Sequence, residues 1–256
     1  MPKPILGAQL YTVRQFTQTE TNVAETLRKV ADIGYAAIQI SAFGPVDPEV
    51  IANLCRDTGL TVASTHTPWP RFLNDLDAVV AEHKLWKCEH PAIGGLPGEY
   101  RAAEGISRFL DELAPIAERL NAEGMDFSYH NHSHELARCG SKTWLEMLYE
   151  QAPPTMLKAE IDTYWIQHGG GDPAEWIRHC AGREPVVHLK DMAITPDREQ
   201  RMAEIGEGNL NWSAILSACE MGGVQYALIE QDDCYERDPF ESLEISYRNC
   251  RAMGLR

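Results

Sequence analysis

The chain is 256 residues long, 44% hydrophobic and 24% charged, a composition that argues against disorder and supplies apolar material for a large core. Against 38 acidic residues stand 23 Lys and Arg, so the formal charge is −15 and nucleic acid or an anionic membrane surface is a poor partner. Seven scattered cysteines without a Cys-x-x-Cys pair offer no zinc ribbon or redox motif and read as reduced packing residues.

The chain enters a strand over 5–11 at once, with no apolar leader and no stretch able to span a bilayer, which predicts a cytoplasmic protein. A helix over 21–33, a strand over 36–41 and a helix over 48–58 follow, then a strand over 60–66, a helix over 71–87 and a short strand over 90–94. The pattern continues with a helix over 99–121, a strand over 125–132, a helix over 143–150, a strand over 156–162 and a helix over 174–180. Last come a strand over 185–190, a helix over 212–221, a strand over 224–230 and a helix over 239–253. Gly34, Gly59, Gly124 and Gly222 stand where helices end through positive φ, and Asp47-Pro48 and Asp172-Pro173 pair a capping acid with a proline at the first helical position. Repeated βα units with right-handed crossovers close into a (β/α)8 TIM barrel, one domain over 1–256 with its site at the C-terminal strand ends.

Four of these strands end in donors that a divalent cation takes: Tyr129-His130-Asn131-His132, Glu160-Ile161-Asp162, His188-Leu189-Lys190-Asp191 and Ile229-Glu230-Gln231-Asp232. Polar side chains at the last positions of apolar strands point to one shared mouth. Asp162, His188 and Glu230 form the core metal set. Because side chains alternate faces along a strand, His130 and His132 share one face, Tyr129 and Asn131 the other, and Glu160 points the same way as Asp162 but one layer deeper. His130 is therefore the fourth ligand candidate, with His132 beside it and Glu135 in competition. Mixed oxygen and imidazole donors suit one Mn²⁺, Zn²⁺, Co²⁺ or Mg²⁺, manganese first, and leave positions open for two substrate oxygens. Tyr11 and His66, at the ends of the first and third strands, are placed to reach substrate, and Trp69 and Trp165 to form an apolar wall for its C–H-rich face. Gly169-Gly170-Gly171 lacks the strand and helix setting of a dinucleotide fingerprint and reads as a loop.

These residues, together with Gly7-Ala8-Gln9-Leu10-Tyr11-Thr12-Val13-Arg14, Asp162-Thr163-Tyr164-Trp165 and Gly206-Glu207-Gly208 followed by Trp212, resemble the xylose isomerase-like barrel superfamily, specifically its sugar phosphate isomerase/epimerase group. The resemblance spans nearly the whole chain. It implies that Asp162, His188 and Glu230 match the metal ligands of ketose epimerases. It also exposes a departure: those enzymes place a glutamate on the fifth strand, opposite the last-strand glutamate, where this chain has His130. A two-base epimerisation loses one of its usual groups, and histidine-rich fifth strands resemble dehydratase and lyase relatives.

The expected chemistry is proton transfer next to a carbonyl, through an enediolate stabilised by the metal, with Glu230, Glu160 or His132 as base and Lys190 holding the developing oxyanion. The first expectation is a sugar isomerase or epimerase acting on a small carbohydrate. Its rivals are a metal-dependent lyase or dehydratase on a keto-sugar, keto-glycoside or keto-inositol, and a non-catalytic sugar-binding barrel. A homodimer or tetramer is expected from the acidic barrel and its aromatic loops.

Overall fold

A computed structural model describes residues 3–255. Eight short parallel strands form the centre: β1 Ile5–Gln9, β2 Ala37–Ile40, β3 Thr61–His66, β4 Pro91–Ile93, β5 Ser128–His130, β6 Lys158–Glu160, β7 Val186–Leu189 and β8 Tyr226–Ile229. Each pairs in parallel with its sequence neighbour from β1 to β6 and from β7 to β8, and β8 returns to pair with β1. The circle closes between β6 and β7 through the Asp162 and His188 bridge and two backbone hydrogen bonds, Ala159 N to Arg183 O at 2.8 Å and His188 N to Ile161 O at 2.9 Å. Helices cover the outside, and the chain is a single (β/α)8 TIM barrel. Among the described residues no helix is long and apolar enough to cross a membrane.

Local chemistry explains the helix ends. Asp47, Asp172 and Asp238 each accept a hydrogen bond from a first-turn N–H, just before the prolines that open the helices Pro48–Thr58, Pro173–His179 and Pro239–Ala252. Gly34, Gly59 and Gly124 take positive φ as expected, but Gly222 is the last residue of the helix Trp212–Gly222, and the left-handed position falls on Gly223.

The structure corrects two expected helices and adds two elements. The expected helix over 71–87 is two helices, Trp69–Asn74 and Leu76–Trp86, broken at Asp75, whose φ of −146° leaves the helical range. The expected helix over 99–121 opens with a 3-10 turn, Gly98–Tyr100, before the true helix Ala103–Ala122. Two additions follow strand ends: the helix Thr163–His168 directly after β6, capped by Asp162, and the antiparallel ribbon of Asp191–Ile194 with Gln200–Ala203 after β7.

Candidate active site

The deepest polar layer of the barrel is built around Glu160. This fully buried carboxylate takes His66 Nε2 at 2.7 Å, His188 Nε2 at 2.9 Å and Gln39 Nε2 at 3.0 Å on Oε1, with Gln39 Nε2 at 3.2 Å and Ser64 Oγ at 3.1 Å on Oε2. Gln9 Nε2 donates to Gln39 Oε1 at 2.7 Å and ties the first two strands into the same network. Burial opposes the charge of Glu160, but His188 and then His66 hold it well below the usual carboxylate range.

One layer higher, His130, Asp162, His188 and Glu230 converge, each offering a donor atom within 4.8 Å of the others, and all four are buried. His130 Nε2 lies 3.1 Å from Asp162 Oδ2, and His188 Nδ1 lies 2.9 Å from Glu230 Oε2 and 3.8 Å from Asp162 Oδ2. The four can hold a metal ion, and the chemistry of the donors fits one. His188 gives its Nε2–H to Gln39 Oε1 at 2.6 Å and to Glu160, which turns Nδ1 toward the two upper carboxylates, the tautomer a ligating imidazole requires. Asp162 Oδ1 accepts from Trp165 N at 2.9 Å, so its Oδ2 is the oxygen aimed at the cluster. Lys190 Nζ sits among the carboxylates, 3.1 Å from Asp162 Oδ2, 2.9 Å from Glu230 Oε2 and 2.9 Å from Asp232 Oδ1.

The charges follow from this crowding. Burial disfavours an imidazolium at His188, yet Glu160 and Glu230 outweigh it and push the group up to about 10. Burial and the neighbouring His188 push His130 down to about 4, and burial with His130 and Lys190 takes His132 to about 2. Burial and then Glu230 raise Asp232 to about 7, so the mouth already resists one more negative charge.

Above the cluster opens a cavity of about 490 Å³, walled by Tyr11, His66, His132, Trp165, Lys190 and Asp232, with His130 and Glu230 at its floor. That size suits a small organic molecule.

A profile of the family described as xylose isomerase-like TIM barrel matches residues 27–231, most of the chain. The chain belongs to that family. Comparison with curated proteins finds no match. Among solved structures, a sugar phosphate isomerase/epimerase from Parabacteroides distasonis ATCC 8503 superposes with a TM-score of 0.82 at 21% identity, over 99% of this chain and 96% of that one. An L-ribulose 3-epimerase gives 0.72 at 20% identity, over 98% and 94%. A probable 3-DHS dehydratase from Bacillus anthracis gives 0.70 at 14% identity, over 96% and 98%. At these identities the likeness is one of fold.

In this xylose isomerase-like barrel, two expected site residues lie elsewhere. Trp69 does not wall the cavity: it is 2% exposed and packs in an aromatic cluster with Phe72, Phe109 and Phe127, its indole N–H reaching Tyr100 Oη at 3.3 Å. Glu160 has no face on the cavity, because both its oxygens are taken inside the barrel. Glu135 is occupied too, Oε1 by the Tyr129 hydroxyl at 2.8 Å and Oε2 by His132 N at 2.9 Å, and it stands apart from the four-residue cluster. Arg14 donates to the carbonyls of Tyr11 and Asp232 and covers the Tyr11 ring at 4.2 Å. Gln9, Gln39 and Ser64, which orient Glu160 and His188, were missed. A glutamine between Ile38 and Ile40 inside an apolar strand was the available signal.

Proposed function

We propose that this barrel is a divalent-metal-dependent sugar isomerase or epimerase that moves a proton on the carbon beside a carbonyl. The observation that carries the reading is the convergence of His130, Asp162, His188 and Glu230 at the floor of the cavity, with Lys190 against two of them. Two carboxylates and two imidazoles suit one Mn²⁺, Zn²⁺, Co²⁺ or Mg²⁺, and we take manganese first. When bound, the cation supplies positive charge that draws in the substrate's carbonyl and adjacent hydroxyl and makes the neighbouring C–H acidic.

The remaining work belongs to the side chains. Glu230 is the carboxylate of the cluster that opens on the cavity and serves as the base. Lys190, its ammonium directed at three carboxylates, sets positive charge beside the oxygen on which negative charge grows in the enediolate without donating to it. His132, held neutral by burial, offers a ring nitrogen to hydroxyls, while His66, its Nε2 held by Glu160, and Trp165 wall the cavity. A lyase or dehydratase is the second reading. It is favoured by His130 on β5, because one carboxylate base can start an elimination without a facing partner. Seven unpaired cysteines agree with a reducing compartment, and we place the protein in the cytoplasm.

The test is metal content and solvent deuterium uptake into a panel of ketoses. Wild-type protein is expected to carry about one metal per chain, lost in Asp162→Ala and His188→Ala, and to introduce deuterium beside the carbonyl. A wild-type chain that neither binds Mn²⁺ or Zn²⁺ nor exchanges any ketose sinks the proposal. A product lighter by one water assigns the lyase reading instead.

A further inference from the structure

Resting on the reading of the cavity as a sugar site, we propose that it takes uncharged, non-phosphorylated sugars and that Asp232 enforces this choice. The cavity wall carries one ammonium, Lys190, and that group is spoken for. Asp162, Glu230 and Asp232 all lie within 3.1 Å of its Nζ. With Glu160 beneath, against His188, four carboxylates gather at this end of the barrel around the one ammonium. Arg14, the nearest guanidinium to Tyr11, is held over that ring by two backbone carbonyls and does not line the cavity.

A second, independent observation concerns the loops. In (β/α)8 barrels, phosphate groups are often caught by backbone N–H groups of the loops after the seventh and eighth strands. The chain has such a cradle after β7, but fills it from within. Asp191 Oδ2 accepts from Gly206 N at 2.8 Å, Gly208 N at 3.1 Å and Trp212 Nε1 at 2.7 Å, and Oδ1 accepts from Met192 N at 2.8 Å and Leu210 N at 3.3 Å. Asp191 is 1% exposed, and Gly208 has no room for a Cβ beside its carboxylate. The Gly206-Glu207-Gly208 motif with Trp212 is thus consumed in binding the protein's own anion. The loop after β8 carries Asp232 and Asp233, which repel a phosphate rather than hold it.

The test uses the full chain loaded with Mn²⁺ and matched probes: D-fructose with D-fructose 6-phosphate, and D-tagatose with D-tagatose 6-phosphate. Exchange of carbon-bound hydrogen for solvent deuterium and binding by saturation-transfer NMR are measured in parallel. Free ketoses are expected to exchange at least about tenfold faster than their phosphates, and Asp232→Asn to shrink that ratio at least about threefold. Phosphates handled as well as free sugars overturn the inference and leave the proton-transfer reading standing. If neither class exchanges, that reading fails and binding decides: saturation transfer to the free ketose alone upholds the inference, and transfer to the phosphate, or to neither, overturns it. Asp232→Ser replaces the asparagine variant if the latter melts early. An unchanged ratio in a normally melting variant removes Asp232 from its role.

Discussion

A histidine that gives one ring N–H to a buried acceptor offers its other nitrogen as a lone pair, and Gln39 and Glu160 fix His188 in that way. In the metal-free chain the group nevertheless holds a second proton up to about 10, because Glu160 and Glu230 flank it and outweigh its burial. A metal bound through Nδ1 must displace that proton. Mn²⁺ titrated calorimetrically at a pH of about 8, in buffers of different ionisation enthalpy, is therefore expected to release about one proton per metal. The sign follows from the raised value: the lower the pH, the more firmly the proton competes, so affinity falls by about tenfold per pH unit below 10. Metal binding at full stoichiometry with no proton release would show that no second proton on His188 stands in the way of the metal, because the group is either neutral beforehand or not a ligand. At this scale the sequence was informative where a polar residue ended an apolar strand, as with Asp162, His188 and Glu230. It was silent about which polar group supports which, because Gln39 and Glu160 meet across the barrel from strands far apart in the chain.

Between residues and the barrel lie the elements, where the departures have physical causes. Trp69 looked like a wall for a sugar because it follows His66 by three positions, yet Pro68 and Pro70 start a helix there and swing the indole outward into an aromatic cluster. Trp69→Ala is expected to destabilise the fold by about 3–5 kcal/mol in chemical denaturation, the range for a buried aromatic, while metal stoichiometry of the folded protein stays unchanged. Loss of metal at full folding would return Trp69 to the site. The ribbon after β7 was invisible for a different reason. Its turn runs through Arg198 at a φ of 69°, a left-handed position that turn chemistry assigns to glycine or asparagine, so no local signal marks it. Helix starts written as aspartate and proline were legible because capping is local chemistry.

The order of the strands follows from their number and alternation, but closing the circle poses a problem that only the assembled molecule reveals. At the seam Pro185 has no N–H, its carbonyl is used by Gln225 and Tyr226 on the β8 side, and Ile161 N is left without a backbone acceptor on β7. Glu184 fills the gap with its Oε1, 3.1 Å from Ile161 N, while its Oε2 is buried without a partner. Burial raises the Glu184 carboxyl well above its usual range, against the pull of the Ile161 N–H. The folded barrel therefore keeps this acid protonated over a pH range in which the unfolded chain already ionises it. A raised folded value means that the stability it contributes is complete below the unfolded pKa of about 4.3 and is lost as pH rises, at a slope of about 1.4 kcal/mol per pH unit until the folded group itself ionises. Glutamine keeps the acceptor for Ile161 N and has no proton to lose. Glu184→Gln is thus expected to match wild type in urea denaturation near the low end of that window and to become progressively the more stable form toward neutral pH. A constant offset between the two proteins across the range would mean that Glu184 is ionised in the fold, and that the seam is held by a charge rather than by a neutral acid.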